Sequence, residues 1–190
     1  MIMDLTNYYN GIETERFVLR KLTYDDVESW KAFYINNPNL KYLGIDLNRT
    51  ISRMAKAWID AQVERYQQNA FGHLGIISKE NGELVGTMGF KYGEHCSEGE
   101  IEKMTAIKPV FWRKGIATEV SIGIINAIFE NQLARAIISV AHIDNDASLN
   151  NNVKLGFENV ALIQGDERQI MKTQLKYDVW LKKHDFYHVR

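Results

Sequence analysis

The residues best suited to chemistry in this 190-residue chain fall in one stretch, Ile107-Lys108-Pro109-Val110-Phe111-Trp112-Arg113-Lys114-Gly115-Ile116-Ala117-Thr118. An apolar strand-like run ends there and a helical pattern begins, with a basic, small-residue turn between them. The first N–H groups of a helix have no internal partner and carry partial positive charge, so such a turn is a ready anion site. Gly115 and Ala117 lack bulk and let a pyrophosphate approach the backbone, while Arg113 and Lys114 add mobile positive charge. No Gly-Lys-Ser/Thr follows, so this is not a Walker A loop, and the three glycines of a dinucleotide fingerprint are missing. The same residues also suit a plain basic turn capping a core helix.

Titratable candidates lie on either side. Glu100 and Glu102 are two apart on a strand-like run and share a face, where like charges raise one carboxylate's pKa toward that of a general base. Together with Glu98 they equally suit a solvated acidic edge. His73 and His142 are rivals, because neutral imidazole titrates near physiological pH. Asn145 reads as a turn residue, and Ser148 as part of a helix N-terminus beside Asp146.

Alternating elements must position these groups. Arg16 to Arg20 suits a short strand. Thr23 is a good N-cap for a helix over residues 24–36, with Asp25, Asp26 and Glu28 in its first turn. Thr50 to Gln68 has helical spacing of apolar residues. Phe71 to Ser78 and Leu84 to Phe90 read as strands joined by an Asn81-Gly82 turn of the type I′ kind. Glu100 to Ile107 is a further strand. A strong helix follows Gly115, with an inner stripe of Ala117, Val120, Ile124, Ile128 and Asn131. Ala136 to Ala141 is a continuous apolar run, typical of a strand covered on both faces. Asp146 can cap a helix through Leu155, closed by Gly156 as a left-handed residue. Asn159 to Ile163 and Lys176 to Leu181 complete the pattern as strands. The order β, α, α, β, β, β, α, β, α, β, β is an α/β arrangement around a mixed sheet.

The length fits one domain over residues 1–190, with 1–12 as an N-terminal extension. Twenty-three Lys and Arg against 24 Asp and Glu leave a net charge of -1, so no basic field is present to hold nucleic acid. The single cysteine, Cys96, cannot form an internal disulfide and favours a reducing, cytoplasmic compartment. No apolar stretch approaches the roughly 20 residues that span a bilayer, so no membrane partner is expected.

Several motifs, in order, resemble the GNAT superfamily of acetyl-CoA-dependent N-acetyltransferases. Trp112-Arg113-Lys114-Gly115-Ile116-Ala117 fills that family's pyrophosphate loop, Gln/Arg-x-x-Gly-x-Gly/Ala, with tryptophan in the Gln/Arg place. The tryptophan and the following Ala117-Thr118-Glu119 resemble the RimJ/RimL-like branch, named for enzymes that acetylate ribosomal-protein N-termini. Glu15-Arg16-Phe17-Val18-Leu19-Arg20 resembles the opening strand of that branch, and Leu84-Val85-Gly86 its third strand. Asn145-Asp146-Ala147-Ser148 followed by Lys154-Leu155-Gly156-Phe157 resembles its Asn-x-x-Ser…Lys-Leu-Gly-Phe. One departure stands on the fourth strand, where the branch has Glu-Ile-Gly-Tyr and this chain has Glu102-Lys103-Met104-Thr105.

The resemblance implies a mixed, mostly antiparallel central sheet with splayed fourth and fifth strands, flanked by helices. The pantetheine arm of acetyl-CoA would lie in the splay like an extra strand. Ala106 and Ile107 would contact the arm through their backbone, Trp112, Arg113, Lys114, Gly115, Ile116, Ala117 and Thr118 would cover the pyrophosphate, and Asn145 would hydrogen-bond the arm. Ser148 matches the position of a general acid near the thioester sulfur, and Glu102 is the candidate base. No metal is expected. The acceptor would be an amine, small or a peptide N-terminus. Its site would be built from the first helices, residues 93–99 and residues 165–167, with Glu94, Glu98, Asp166 and Glu167 favouring a cation and Tyr8, Tyr9, Tyr42 and Trp58 lining the apolar part. A homodimer through Tyr177, Trp180, Phe186 and Tyr187 is one use of the tail; core packing is the other.

Overall fold

The computed structural model describes residues 4–164 and 169–187, with side chains through residue 182. Among these residues, β1 (Phe17–Lys21), β2 (His73–Ser78), β3 (Leu84–Lys91), β4 (Glu100–Ile107), β5 (Ala136–His142), β6 (Glu158–Gln164) and β7 (Gln169–Lys176) form one sheet, ordered β1-β2-β3-β4-β5-β7-β6. The helices are α1 (Thr6–Tyr9), α2 (Asp26–Trp30), α3 (Ile51–Gln67), α4 (Ile116–Glu130), α5 (Asp146–Leu155) and α6 (Tyr177–Tyr187).

Neighbouring strands are antiparallel except β4 and β5, which run parallel. Those two stay paired only from Glu100–Glu102 against Ala136–Ile138. Beyond that point β4 remains bonded to β3 as far as Ile107, and β5 to β7 as far as His142. The two central strands therefore diverge into a wedge-shaped gap. The mixed sheet with splayed fourth and fifth strands, expected from the resemblance, is the observed architecture.

Two apolar layers hold the sheet. On one face α4 buries Val120, Ile124, Ile125, Ile128 and Phe129 against Ile101, Ile107 and Ile137, each large side chain contributing roughly 1.5–3 kcal/mol. On the other, Trp30, Phe33 and Ile59 pack over Leu84 and Ala106. Gly86 sets how closely β3 and β4 approach: an added Cβ would lie 2.6 Å from Ile107 Cδ1 and 2.7 Å from the Ala106 carbonyl oxygen. Only glycine leaves that room.

Local signals were realised with differences in detail. The helix over 24–36 is a short α2 continued as a 3₁₀ segment, Lys31–Tyr34. Thr23 does not cap it by its side chain; instead Asp26, buried, accepts the Thr23 N–H at 2.8 Å and two bonds from the Arg20 guanidinium, both 2.8 Å. The β2–β3 turn is not type I′, since Gly82 has φ +73° while Asn81 has negative φ, and the loop is tied by bonds from Gly82 N to the Ser78 carbonyl and Ser78 N to the Glu83 carbonyl. The expected strand at Lys176 to Leu181 is helix α6 from residue 177, and the strand lies earlier, at Gln169–Lys176. Tyr177 and Trp180 sit three apart and both rest on Phe129, ring centroids 5.7 Å and 5.3 Å away, which is a helical use of that spacing. β7 hid behind its polar residues: Thr173 and Leu175 alternate inward while Lys172, Gln174 and Lys176 separate them.

Candidate active site

At the open end of the wedge the chain leaves β4 through a 3₁₀ turn, Pro109–Phe111, and enters α4. Trp112 anchors this turn by donating from Nε1 to the Ile107 carbonyl at 2.7 Å. Arg113 has φ +62° and Gly115 φ +75°, with Lys114 between them at negative φ. Alternating handedness of this kind aims successive N–H groups at one concave side, an anion-binding arrangement, and it runs straight into the unpaired N–H groups of Ile116, Ala117 and Thr118. Arg16, which the family motif covered without a site role, supports the turn from outside by donating to the Lys114 carbonyl.

A cavity of about 790 Å³ opens from here along the gap, within the size range of small-molecule sites. Ala106, Ile107, Trp112, Arg113, Gly115, Ile116, Ala117 and Thr118 line it, as do Asn145 and Ser148 from α5. Lys114 does not; its Nζ rests 5.1 Å from the Phe111 ring centroid, facing a separate groove.

Helix α5 is positioned by its caps. Asn145, rather than Asp146, is the N-cap, accepting the Ser148 N–H at 3.2 Å, and Gly156 closes the helix at φ +87°. Ser148 thus gives its backbone to the cap, while its hydroxyl, at the cavity wall, has no hydrogen-bond partner among the described residues. Thr118 donates to Asn151 at 2.8 Å and ties α4 to α5 across the cavity.

Glu102 stands outside the cavity. Its carboxylate pairs with Lys91 at 3.4 Å and packs against the backbone of Gly93. Glu100, on the same face, pairs with Lys172 at 2.9 Å and also bonds Gln174 and the Ser97 N–H. Burial pushes its carboxyl up, but those donors outweigh burial and hold it below the ordinary value, opposite to the rise expected from a like-charge pair. His73 is no base either: burial drives its imidazole down to about 3, and Nδ1 lies 3.0 Å from Thr87 Oγ1. His142 stacks on Tyr42, centroids 5.0 Å apart.

The expected acceptor residues are scattered. Tyr8 and Tyr9 belong to the core and bond the carbonyls of Gly72 and Ala70. Trp58 packs on Trp30 and Phe33. Glu94 and Glu98 are exposed outside the cavity, and residues 165–167 lie outside the described residues, as do the side chains of Phe186 and Tyr187. The cavity wall opposite α5 is instead Phe33, Asn37, Asn39 and Leu43.

Two lining residues on β4 carry unsatisfied polarity. Thr105 Oγ1 is buried without a hydrogen-bond partner. Lys103 is buried, and burial alone pushes its ammonium down to about 8. The signal for both was the departure from Glu-Ile-Gly-Tyr. Among the described residues no cluster of His, Cys, Asp or Glu could hold a metal ion, and no helix is long and apolar enough to cross a membrane.

Comparison with known proteins places this geometry. The family model described as acetyltransferase (GNAT) domain matches residues 16–158. An uncharacterized N-acetyltransferase of Bacillus subtilis, YoaA, is 29% identical over 153 residues, covering 80% of this chain and 85% of its own. RimJ of Mycobacterium smegmatis, solved in complex with CoA-disulfide, superposes with a TM-score of 0.75 at 14% identity, covering 90% of each chain. RimL, a ribosomal-protein α-N acetyltransferase solved with coenzyme A, superposes with a TM-score of 0.75 at 13% identity, covering 89% of this chain and 98% of its own. With its β4–β5 wedge and the anion-binding turn at the head of α4, the chain belongs to the GNAT family of acetyltransferases.

Proposed function

We propose that the protein moves the acetyl group of acetyl-CoA directly to a primary amine, with donor and acceptor bound together. One observation carries this reading: a single cavity runs from the first N–H groups of α4 into the gap between β4 and β5. The turn Trp112 to Thr118 would hold the pyrophosphate through backbone N–H groups, with Arg113 adding charge from the cavity wall. Ala106 and Ile107 would pair with the pantetheine arm, and the Nδ2 of Asn145, left free by its capping role, would bond it from α5. Such pairing along strand backbone needs no particular side chain. The buried, unpartnered Thr105 Oγ1 fits a ligand bearing amides in that gap.

Ser148 would donate a hydrogen bond to developing thiolate charge. Water takes the amine's proton, because Glu102, ion-paired under residues 93–99, faces away from the cavity.

The acceptor we favour is a peptide N-terminus. Among the described residues the charged side chains lining the cavity are Lys103, Arg113 and Lys154, all cations, a poor setting for a polyamine. RimL, of the same fold, is described as a ribosomal L7/L12 α-N-protein acetyltransferase. Cys96 is a free thiol, which suits the cytoplasm.

The test is release of CoA thiol from acetyl-CoA in the presence of short peptides with free N-termini, the same peptides N-formylated, and spermidine. Free peptides should turn over, blocked ones should not, and spermidine should be slower. Binding of acetyl-CoA with no thiol release from any amine would make the chain a non-catalytic acyl-CoA module.

A further inference from the structure

The closed end of the wedge holds a cation that no anion among the described residues neutralises. Lys103 is the first β4 residue past the last pairing with β5, Glu102 with Ile138. Strand alternation puts it on the face of Ile101 and Ile107, toward α4. The side chain is 6% exposed, lines the cavity, and places Nζ 5.8 Å from the Phe157 ring centroid. It has no ion-pair partner among the described residues. The other charged groups on the cavity wall, Arg113 at the α4 turn and Lys154 on α5, are cations too. The carboxylates of Glu100 and Glu102 lie on the opposite face of β4, committed to Lys172 and Lys91.

Burying an unpaired ammonium is costly. Anionic charge arising beside it would offset that cost. Lys103 and Ile107 are four positions apart on the strand, roughly 13 Å at the rise of an extended strand. A ligand whose phosphates rest at the head of α4 therefore brings the far end of its arm to Lys103.

We propose that Lys103 is the proton donor to the leaving sulfur, seated where the thioester end of acetyl-CoA lies. This rests on the acetyl-CoA reading above. As the amine nitrogen forms its bond to the acetyl carbon, the carbon–sulfur bond breaks and its electron pair goes to sulfur. Sulfur takes the proton from Lys103 Nζ, giving the CoA thiol. The surplus proton of the amine, passed through water, restores the ammonium. The lowered pKa of Lys103 eases this transfer, whereas the Ser148 hydroxyl, far less acidic, serves only as a hydrogen-bond donor.

The test uses CoA and desulfo-CoA, so it needs no acceptor. Calorimetric affinities and the ultraviolet absorbance of the thiolate are measured for the wild-type protein and Lys103→Met across the pH range of thiol titration. At pH below about 8, where Lys103 is still an ammonium, the wild-type complex should already show thiolate absorbance that free CoA lacks, because an adjacent cation favours the anion and the two groups titrate as a pair. Lys103→Met should lose that absorbance and keep its affinity for desulfo-CoA. A wild-type thiol that titrates as in free CoA, with desulfo-CoA still bound, overturns the assignment alone. Loss of desulfo-CoA binding in Lys103→Met only would make Lys103 structural and also overturn it. A wild type that binds neither ligand overturns the acetyl-CoA reading and this one with it.

Discussion

The Arg16 guanidinium donates from both terminal nitrogens to the Lys114 carbonyl oxygen, each at 3.1 Å, across 98 positions of sequence. Its Nε also pairs with Glu119 at 2.6 Å, and Glu119 accepts from Thr14 Oγ1 at 2.7 Å. The start of β1 thus grips the turn ahead of α4 by a carbonyl, leaving the N–H groups of residues 115–118 for the cavity. Arg16 is 47% exposed at its side chain, so Arg16→Ala should change folding stability by under about 1 kcal/mol. Acetyl-CoA affinity measured by calorimetry should fall about threefold to tenfold, since the turn loses its support. An unchanged affinity would remove Arg16 from the turn's function.

Two glycines should separate fold from binding. In Gly86→Ala the new methyl would meet the Ala106 carbonyl and Ile107 at under 3 Å, forcing β3 and β4 apart along the wall of the cavity. Overpacking of this kind costs typically about 1–3 kcal/mol, so both the melting temperature and acetyl-CoA binding should drop. Gly115→Ala meets nothing nearer than Arg16 at 3.6 Å; its cost is the left-handed backbone, about 1–2 kcal/mol. The turn relieves that strain by moving, so binding should suffer more than stability. Equal losses in the two variants would contradict this division.

The turn was legible from Gly115, where a helix must start, and the strand at Ala136 to Ala141 from its short apolar run, whereas the wedge between β4 and β5 was expected only from the family resemblance. What β4 presents to the cavity was not legible. Lys103 and Glu102 are adjacent charged residues in sequence, yet the pleat sends one into the cavity and the other under residues 93–99, where Lys91 meets it. Only the register with β3 and β5 decides which is which. Likewise Tyr8 and Tyr9 look like free aromatics near the N-terminus, but helix α1 turns both into the core. Long-range packing, invisible to spacing, made them structural.

The capping arrangement at α5 separates two neighbours. Asn145 accepts the Ser148 N–H, so Asn145→Ala should cost about 1 kcal/mol of stability and weaken acetyl-CoA binding as α5 frays. The Ser148 hydroxyl takes no part in the fold, so Ser148→Ala should leave the melting temperature and acetyl-CoA affinity unchanged. Losing one hydrogen bond to charge that develops only in the transition state should lower kcat by about tenfold or more, with KM nearly constant. An unaltered kcat would end the role assigned to Ser148.

His73 should make folding acid-sensitive without touching the chemistry. Buried against Trp58, with Nδ1 bonded to Thr87, it stays neutral in the fold because burial drives its pKa down to about 3 from an ordinary 6.5. The unfolded chain therefore binds more protons than the folded one between these values. Stability contributed by neutral His73 is complete above pH 6.5 and is lost as pH falls toward 3, at about 1.4 kcal/mol per unit. Urea unfolding at about pH 7 and about pH 5 should differ by roughly 2 kcal/mol from this group. His73→Asn, which keeps an amide near Thr87, should be less stable at neutral pH yet lose less on acidification. A slope as steep in His73→Asn as in the wild type would assign the acid sensitivity to other groups.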